Sequence, residues 1–129
     1  MSNTPAKFRA EGGRVYRGVA GGTVNENKAL TYNSSGLLVH ADNVTIGVVG
    51  VARSGYSTNG TMSYHKGGRT TVVTTGTVAA GDYLKVSATA GVLATDGTSG
   101  STAKSNLSVA IAVEAADADN ITLVEWLAQ

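Results

Sequence analysis

The 129-residue chain has no cysteine, one proline, one phenylalanine and one tryptophan. Without cysteine it forms no disulfide and no thiolate metal site. No apolar run approaches the roughly 20 residues that a membrane-spanning helix needs, so no membrane partner is expected. The net charge is only +1 and the isoelectric point about 8.0. Because nucleic-acid-binding proteins usually carry a broad basic surface, no nucleic-acid partner is expected either.

What the chain does contain is glycine, with 17 residues, and many short β-branched or apolar runs. Such runs, separated by turn-forming residues, indicate strands rather than helices. They cover residues 37–39, 46–51, 70–75, 83–86, 107–113 and 121–127. A chain of this length can bury roughly 65–70% of its extended surface. The prediction is one compact, mainly-β domain, of the small β-barrel or β-tulip-like kind.

Two stretches of equal length, residues 22–75 and 76–129, are weakly similar. The clearest matches are 22–24 with 76–78, Leu30 with Leu84, 36–38 with 91–93, 46–48 with 109–111, and 71–73 with 122–124. Duplicated β units tolerate length changes in loops better than in strands. We therefore predict two pseudo-repeats that close against each other and so hide strand edges.

Residues 1–20 lie outside this repeat and predict an extended amino-terminal arm before a β domain at 21–129. The segment is polar and basic, and two aromatic residues each precede an arginine. Such a segment suits strand addition to a partner, because backbone pairing supplies adhesion and side chains supply register. A flexible or self-packed terminus is the alternative. The candidate arm contacts are Lys7, Phe8, Arg9, Arg14, Tyr16 and Arg17. Removing residues 2–17 is then expected to leave thermal unfolding nearly unchanged.

Charge is unevenly divided between the two halves of the chain. Residues 1–75 contain eight lysines and arginines against three acids, and residues 76–129 contain two against six. Such polarity suits docking on an acidic surface or head-to-tail packing of neighbouring molecules. A dipolar solvated surface without a role is the alternative.

A second candidate contact lies near the carboxyl terminus. In residues 107–113 large apolar residues alternate with small ones, which places Ser108, Ala110 and Ala112 on one face of a strand. A small-residue face permits close approach of another subunit. Trp126 is either the large core residue that closes the second repeat or an interface anchor. These four residues form the predicted protomer interface.

Catalytic patterns are scarce. His40 and Asp42 lie two residues apart, with Ser34 and Ser35 upstream, but no nucleophile-elbow motif accompanies them. The second histidine, His65, stands in a turn-like context. The pairs at 12–13 and 67–68 are glycines without a following Gly-Lys-Ser/Thr, which favours turns over phosphate loops. The expectation is a non-enzyme with no cofactor and no metal.

Residues 30–40, 46–52, 78–84, 91–93 and 109–127 together resemble the tailed-phage capsid decoration, or cement, proteins. The head-stabilising protein of lambda-like phages is a more distant relative. The resemblance covers about 100 residues, from Gly22 to the end. It implies a structural virion protein, assembled in the host cytoplasm, on the outer surface of an expanded head. There it would act as a homotrimer at three-fold and quasi-three-fold positions, bridging major-capsid subunits.

A carbohydrate-binding β module of a phage tail or surface appendage is the competing interpretation. It would stack sugars on Tyr32, Tyr56, Tyr64, Tyr83 and Trp126. These aromatic residues are few and are scattered along the sequence.

Overall fold

The computed structural model describes residues 8–42, 47–98, 100 and 104–127, and within them it contains eleven strands and no helix. The strands are β1 (Ala10–Glu11), β2 (Arg14–Val19), β3 (Ala29–Tyr32), β4 (Leu38–His40), β5 (Gly50–Ala52), β6 (Thr61–Lys66), β7 (Arg69–Val73), β8 (Tyr83–Val86), β9 (Leu93–Thr95), β10 (Ala110–Ala112) and β11 (Ile121–Trp126). The mainly-β prediction is confirmed.

The strands form two antiparallel sheets. One has five strands in the order β2-β6-β5-β3-β4, and the other has six in the order β1-β7-β11-β10-β8-β9. Neither sheet closes into the predicted barrel within the described residues. Each sheet contains one isolated parallel bridge. Ala20, which follows β2, bridges to Leu38 of β4, and Thr74, which follows β7, bridges to Leu93 of β9. The sheets are therefore curled and sandwich-like, and their edges are still present.

The two sheets repeat one topology. The first unit, β2 to β6, has the order 2-6-5-3-4, and the second unit, β7 to β11, has the matching order 7-11-10-8-9. Register is kept as well. Leu30 pairs with His40 and Gly50 in the first unit, and Leu84 pairs with Thr95 and Ala110 in the second. Each strand of the first unit thus has an equivalent in the second.

This equivalence differs from the sequence matching in three places. Because Gly50 is the equivalent of Ala110, the equivalents of residues 109–111 are 49–51 and not 46–48. Residues 71–73 and 122–124 are neighbours in one sheet, where Val72 pairs with Thr122, rather than equivalent strands of two units. The equivalent of β11 is β6, so the position matching Trp126 is Lys66 and not Thr75. The strands β7 and β11 both belong to the second unit and share a Thr-apolar-Val sequence, and local composition alone does not distinguish a neighbour from an equivalent.

Residues 8–19 of the predicted arm belong to the two sheets. Ala10 and Glu11 pair with Thr70 and Arg69, and residues 14–19 continue the same register against 66–61. One long ribbon therefore passes from the six-stranded to the five-stranded sheet. It crosses at Gly12-Gly13 opposite Gly67-Gly68, all four with positive φ.

Two of the four glycines at this crossing, Gly13 and Gly68, are required by space as well as by φ. A Cβ on Gly13 would lie 2.5 Å from the carbonyl oxygen of Gly67, and one on Gly68 would lie 2.5 Å from that of Glu11. The two chains therefore approach too closely for side chains. The glycine pairs, predicted as turns, permit a close crossing of two strands.

Two hydrophobic clusters stabilise the sheets. The larger combines residues of the six-stranded sheet, such as Leu84 and Val124, with Ala29 and Val51 of the five-stranded sheet. The smaller, around Leu30 and Met62, lies on the opposite face of the five-stranded sheet, because neighbouring residues of a strand point to opposite faces. Since Leu84 is the equivalent of Leu30, the two units meet through unlike faces.

Candidate functional site

The longest exposed stretch of strand is β2, at an edge of the five-stranded sheet, where five of six residues are exposed. Among the described residues it pairs only with β6. Val15 is 49% exposed and Tyr16 is 42% exposed. An unpaired edge presents a row of backbone donors and acceptors to any extended segment. The outer edge of β2 is therefore the surface at which a partner can form backbone hydrogen bonds.

The direction of the free backbone groups follows from the strand geometry. The Ala20 amide donates to Gly60, on the β6 side, at 2.9 Å. Backbone groups alternate in direction along a strand, so those of Val15, Arg17 and Val19 point away from β6. At the carboxyl end the edge is covered, because Ala20 forms a parallel bridge to Leu38 and the Gly21 amide donates to the Leu38 carbonyl oxygen at 2.8 Å. Val15 and Arg17 therefore carry the unused donors and acceptors of the edge.

The predicted arm residues divide into two groups. Phe8 and Arg9 are engaged within the chain. The Phe8 amide donates to Glu26 at 3.0 Å, and the Arg9 guanidinium contacts Glu114 at 3.2 Å. The Phe8 ring lies 6.0 Å from the His65 ring, between centroids, with the Arg53 guanidinium 5.9 Å from the Phe8 centroid. Lys7 lies outside the described residues.

The second group, Arg14, Tyr16 and Arg17, is exposed on β2. Neither arginine forms an ion pair with a residue of the described part of the chain. Arg14 pairs across the ladder with Lys66, so two cations lie side by side. Like charges at adjacent positions repel modestly and attract an anionic partner. This end of β2 is therefore the basic part of the edge.

Three tyrosines scattered in sequence come together beside β2. The Tyr16 ring stacks on Tyr64 with centroids 5.8 Å apart, and Tyr32 meets Tyr64 edge-on at 6.5 Å. The hydroxyl groups of Tyr32 and Tyr64 are hydrogen-bonded. Burial, this hydrogen bond and the neighbouring phenols raise the pKa of Tyr64 to about 12. Tyr16 and Tyr32 remain 42% and 45% exposed, so the cluster offers two rings to solvent.

The small-residue face predicted as a protomer interface is located differently. Ala110 and Ala112 are 0% and 3% exposed and belong to the larger core, because this face of β10 packs inward rather than outward. Ser108 is half-buried and donates to Asp96 at 2.6 Å. Trp126 is half-buried against the core and donates from Nε1 to Thr70 at 2.7 Å. Only Ser108 and Trp126 of the four have side-chain surface open to solvent.

The two histidines are separated and bound to backbone groups. The Asn25 amide donates to His40 Nε2 at 3.1 Å, and burial, with the charge of Lys28, lowers the pKa of His40. Nε2 of His65 lies 2.6 Å from the Gly12 carbonyl oxygen, to which it donates. In the described part of the chain no three His, Cys, Asp or Glu residues are grouped for a metal ion. The described residues also contain no helix suited to crossing a bilayer.

A largely apolar cavity of about 460 Å³ lies at one end of the sandwich. Its lining includes Val48, Val49, Lys66 and Trp126. Gly47 and Leu127, also in the lining, are next in sequence to residues outside the described part of the chain. We make no functional assignment for this cavity.

The charge asymmetry of the sequence follows the two units. Residues 14–66 contain five lysines and arginines against two acids, and residues 69–126 contain three against six. The free edge of β2 belongs to the basic unit. The cations of this edge are predictable from the sequence, but its exposed valines are not, because no alternating pattern marks a strand exposed on both faces.

These features define an antiparallel two-sheet protein built from a repeated five-strand unit, with one basic free edge. Among solved structures, the head fiber gp8.5 N base of bacteriophage phi29 is similar, with a TM-score of 0.68 and 17% sequence identity. The match covers 90% of this chain and 98% of that one. At this identity the likeness establishes a shared fold. No protein-family model and no curated protein matches the chain.

Proposed function

We propose that this chain is a structural protein of a phage head, which binds the outer surface of the expanded capsid through the edge strand β2. The observation that carries the proposal is the free basic edge at Arg14, Tyr16 and Arg17 on a fold shared with a phage head fiber base. Neither the fold nor the edge requires catalysis. The role is adhesion and mechanical support.

In this proposal the partner is the major capsid protein, and the chain bridges neighbouring capsid subunits at three-fold and quasi-three-fold positions as a homotrimer. Many copies acting together give avidity without any single strong site. Ser108 and Trp126, which keep open surface, are the candidates left for contacts between protomers. Head stabilisation follows because each bridge opposes separation of the subunits it joins.

Copy number in purified heads tests the proposal. Quantitative mass spectrometry against the major capsid protein should give a stoichiometric ratio for a decoration protein. A handful of copies per particle would instead indicate a tail or vertex component. Absence from the head would remove the capsid role altogether.

A matched pair of charge reversals tests the surface. Arg17→Glu should weaken binding to undecorated heads by about tenfold, since it places an acid in the basic edge. Lys104→Glu, an equal charge change at an exposed site in the other unit, should bind like the wild type. Equal binding by both variants would exclude β2 as the contact. Both changes are at exposed positions, so stability should shift by no more than about 0.5 kcal/mol.

The second candidate function, carbohydrate binding, is favoured by one observation, the cluster of Tyr16, Tyr32 and Tyr64. Five aromatic residues are predicted from the sequence to stack sugars. One of them, Tyr64, is only 4% exposed and is covered by Tyr16. Two exposed phenol rings, those of Tyr16 and Tyr32, remain. A glycan array probed with wild-type protein and with Tyr32→Ala distinguishes this function, because capsid binding does not require Tyr32.

A further inference from the structure

We propose that the free edge of β2 binds an extended acidic segment of its partner, which adds to the five-stranded sheet as a strand antiparallel to β2. The inference rests on the proposed function in taking β2 as the contact. It goes further by naming the chemistry, the direction and the register of the partner segment. Three independent features of the repeated unit support it.

The first feature is the strand that covers the equivalent edge. In the second unit β7 carries β1 on its outer side, and the pairing is antiparallel. By the register of the two units β7 is the equivalent of β2, but β2 has no outer strand among the described residues. The fold therefore accepts a strand at this position in one unit and exposes the same position in the other.

The second feature is the direction of the backbone groups. The Thr71 amide donates outward to the Arg9 carbonyl oxygen at 2.9 Å. The equivalent of Thr71 is Arg17, and alternation along β2 also directs the Arg17 amide away from β6. A strand in the register of β1 would thus accept a hydrogen bond from Arg17. The donor that such pairing needs is already oriented.

The third feature is a reversal of charge between the two positions. At β7 the added strand places the cation Arg9 against Glu114, at 3.2 Å. The connections 53–60 and 113–120 have equal length, so the equivalent of Glu114 is Ser54. In place of Thr71 the first unit has the cation Arg17. The complementary partner is therefore a strand that carries an acidic residue opposite Arg17, at the position where β1 has Arg9.

Apolar surface on the same strand favours pairing as well. Val15 and Val19 are 49% and 38% exposed and flank Arg17 on one face of β2. An added strand with apolar residues beside its acids would cover both valines. Exposed cations on an edge strand also discourage pairing with identical edges. The edge is thus arranged to reject a second copy and to accept an acidic segment.

Titration of the 15N-labelled full chain with a synthetic peptide of alternating valine and glutamate tests the proposal. The amides of Val15 and Arg17 should shift and gain protection from hydrogen exchange, and added salt should weaken the binding. The same peptide with lysine in place of glutamate should not bind. Shifts confined to other strands, or equal binding of both peptides, would overturn the proposal.

Two variants separate the backbone from the side chain. Arg17→Ala removes the charge and keeps the outward amide, while Arg17→Pro removes both without breaking a hydrogen bond to β6. The proline variant should bind the acidic peptide at least about tenfold more weakly than the alanine variant. Equal affinities would exclude strand addition. If the proline variant unfolds, the exchange protection in the wild type decides the question.

Two further results distinguish the possible failures. A concentration-dependent dimer that the acidic peptide does not disperse, seen by light scattering, would assign the edge to a second copy and overturn the acidic partner. Wild-type protein that binds undecorated heads but not the peptide would also overturn this inference, while the proposed function stands. Failure to bind heads would remove the proposed function itself.

Discussion

At the scale of single residues, His40 makes the stability of the fold depend on pH. The neutral ring accepts the Asn25 amide at Nε2, and burial, followed by the charge of Lys28, lowers its pKa from 6.5. A lowered folded pKa means that the unfolded chain binds the proton more readily. The contribution of His40 is therefore complete above pH 6.5 and is lost as pH falls through the folded pKa.

We therefore expect urea unfolding to show lower stability at pH 5 than at pH 7.5. His40→Gln, which keeps an acceptor but cannot titrate, should flatten this decline. An unchanged slope in His40→Gln would contradict the assignment.

The pKa of Asp96 is also lowered, so Asp96 likewise contributes more stability as pH rises, but the cause differs from that at His40. Burial alone would raise its pKa, but hydrogen bonds from Ser105 and Ser108 and the charge of Lys85 together lower it. Its contribution is present above pH 3.8 and is lost only as pH falls below that value. The effects of His40 and Asp96 therefore fall in separate pH ranges.

At the scale of elements, the crossing of the two glycine pairs is the most demanding local structure. A Cβ on Gly13 would lie 2.5 Å and 2.6 Å from two carbonyl oxygens, whereas one on Gly12 has its nearest neighbour at 3.9 Å. Both residues have similar positive φ. The two positions therefore share backbone strain and differ only in steric room.

Gly12→Ala should cost about 1–2 kcal/mol, the price of a left-handed alanine. Gly13→Ala adds overlap with backbone that cannot move aside, and should cost at least about 3 kcal/mol. Chemical denaturation of both variants measures the difference. Equal losses would mean that the crossing is looser than the distances indicate.

The same crossing changes the expected effect of removing residues 2–17. From sequence, this deletion should leave thermal unfolding unchanged, because the segment was predicted as an arm. In the structure it would remove β1 and most of β2, and it would expose the edges of β7 and β6. We therefore expect a markedly lower melting temperature. Point variants on β2 are the cleaner test of binding.

Some elements were predictable from sequence and others were not, for physical reasons. Strands such as β8 and β11 bury large apolar side chains, and their patterns identified them. β6 is a central strand, but its residues Thr61, Ser63 and His65 have the composition of a loop. β2 is exposed along nearly its whole length, so burial leaves no periodic trace. The candidate site was recognised by its cations alone, since its free backbone groups depend on which strands become neighbours.

At the scale of the whole molecule, the duplication does not produce a symmetric pair. One unit is basic and the other acidic, and they meet through unlike faces. The first unit leaves its β2 edge free, whereas the second has its corresponding edge covered by β1. A tandem arrangement of this kind has two different ends. A molecule with different ends can bind a surface through one and leave the other exposed.

Unequal units raise the question of whether the molecule folds as one body. The larger core takes Ala29, Ala41 and Val51 from the first unit together with the inner residues of the second. The ribbon of β1 and β2 against β6 and β7 also passes through both sheets in one register. Disruption of either unit should therefore remove partners from the other. We expect a single cooperative unfolding transition.

Two equivalent leucines test this expectation. Leu30 belongs to the smaller core and Leu84 to the larger, and both are fully buried. Leu30→Ala and Leu84→Ala should each cost about 2–5 kcal/mol. Each should shift one calorimetric transition whose measured enthalpy equals the van't Hoff enthalpy. Val15→Ala, at an exposed position, should change stability by no more than about 0.5 kcal/mol.

Two transitions in Leu30→Ala, with only the lower one shifted, would mean that the first unit unfolds alone. The shared core would then fail to couple β2 to the rest of the molecule, and force applied at that edge would unfold the first unit before reaching the second.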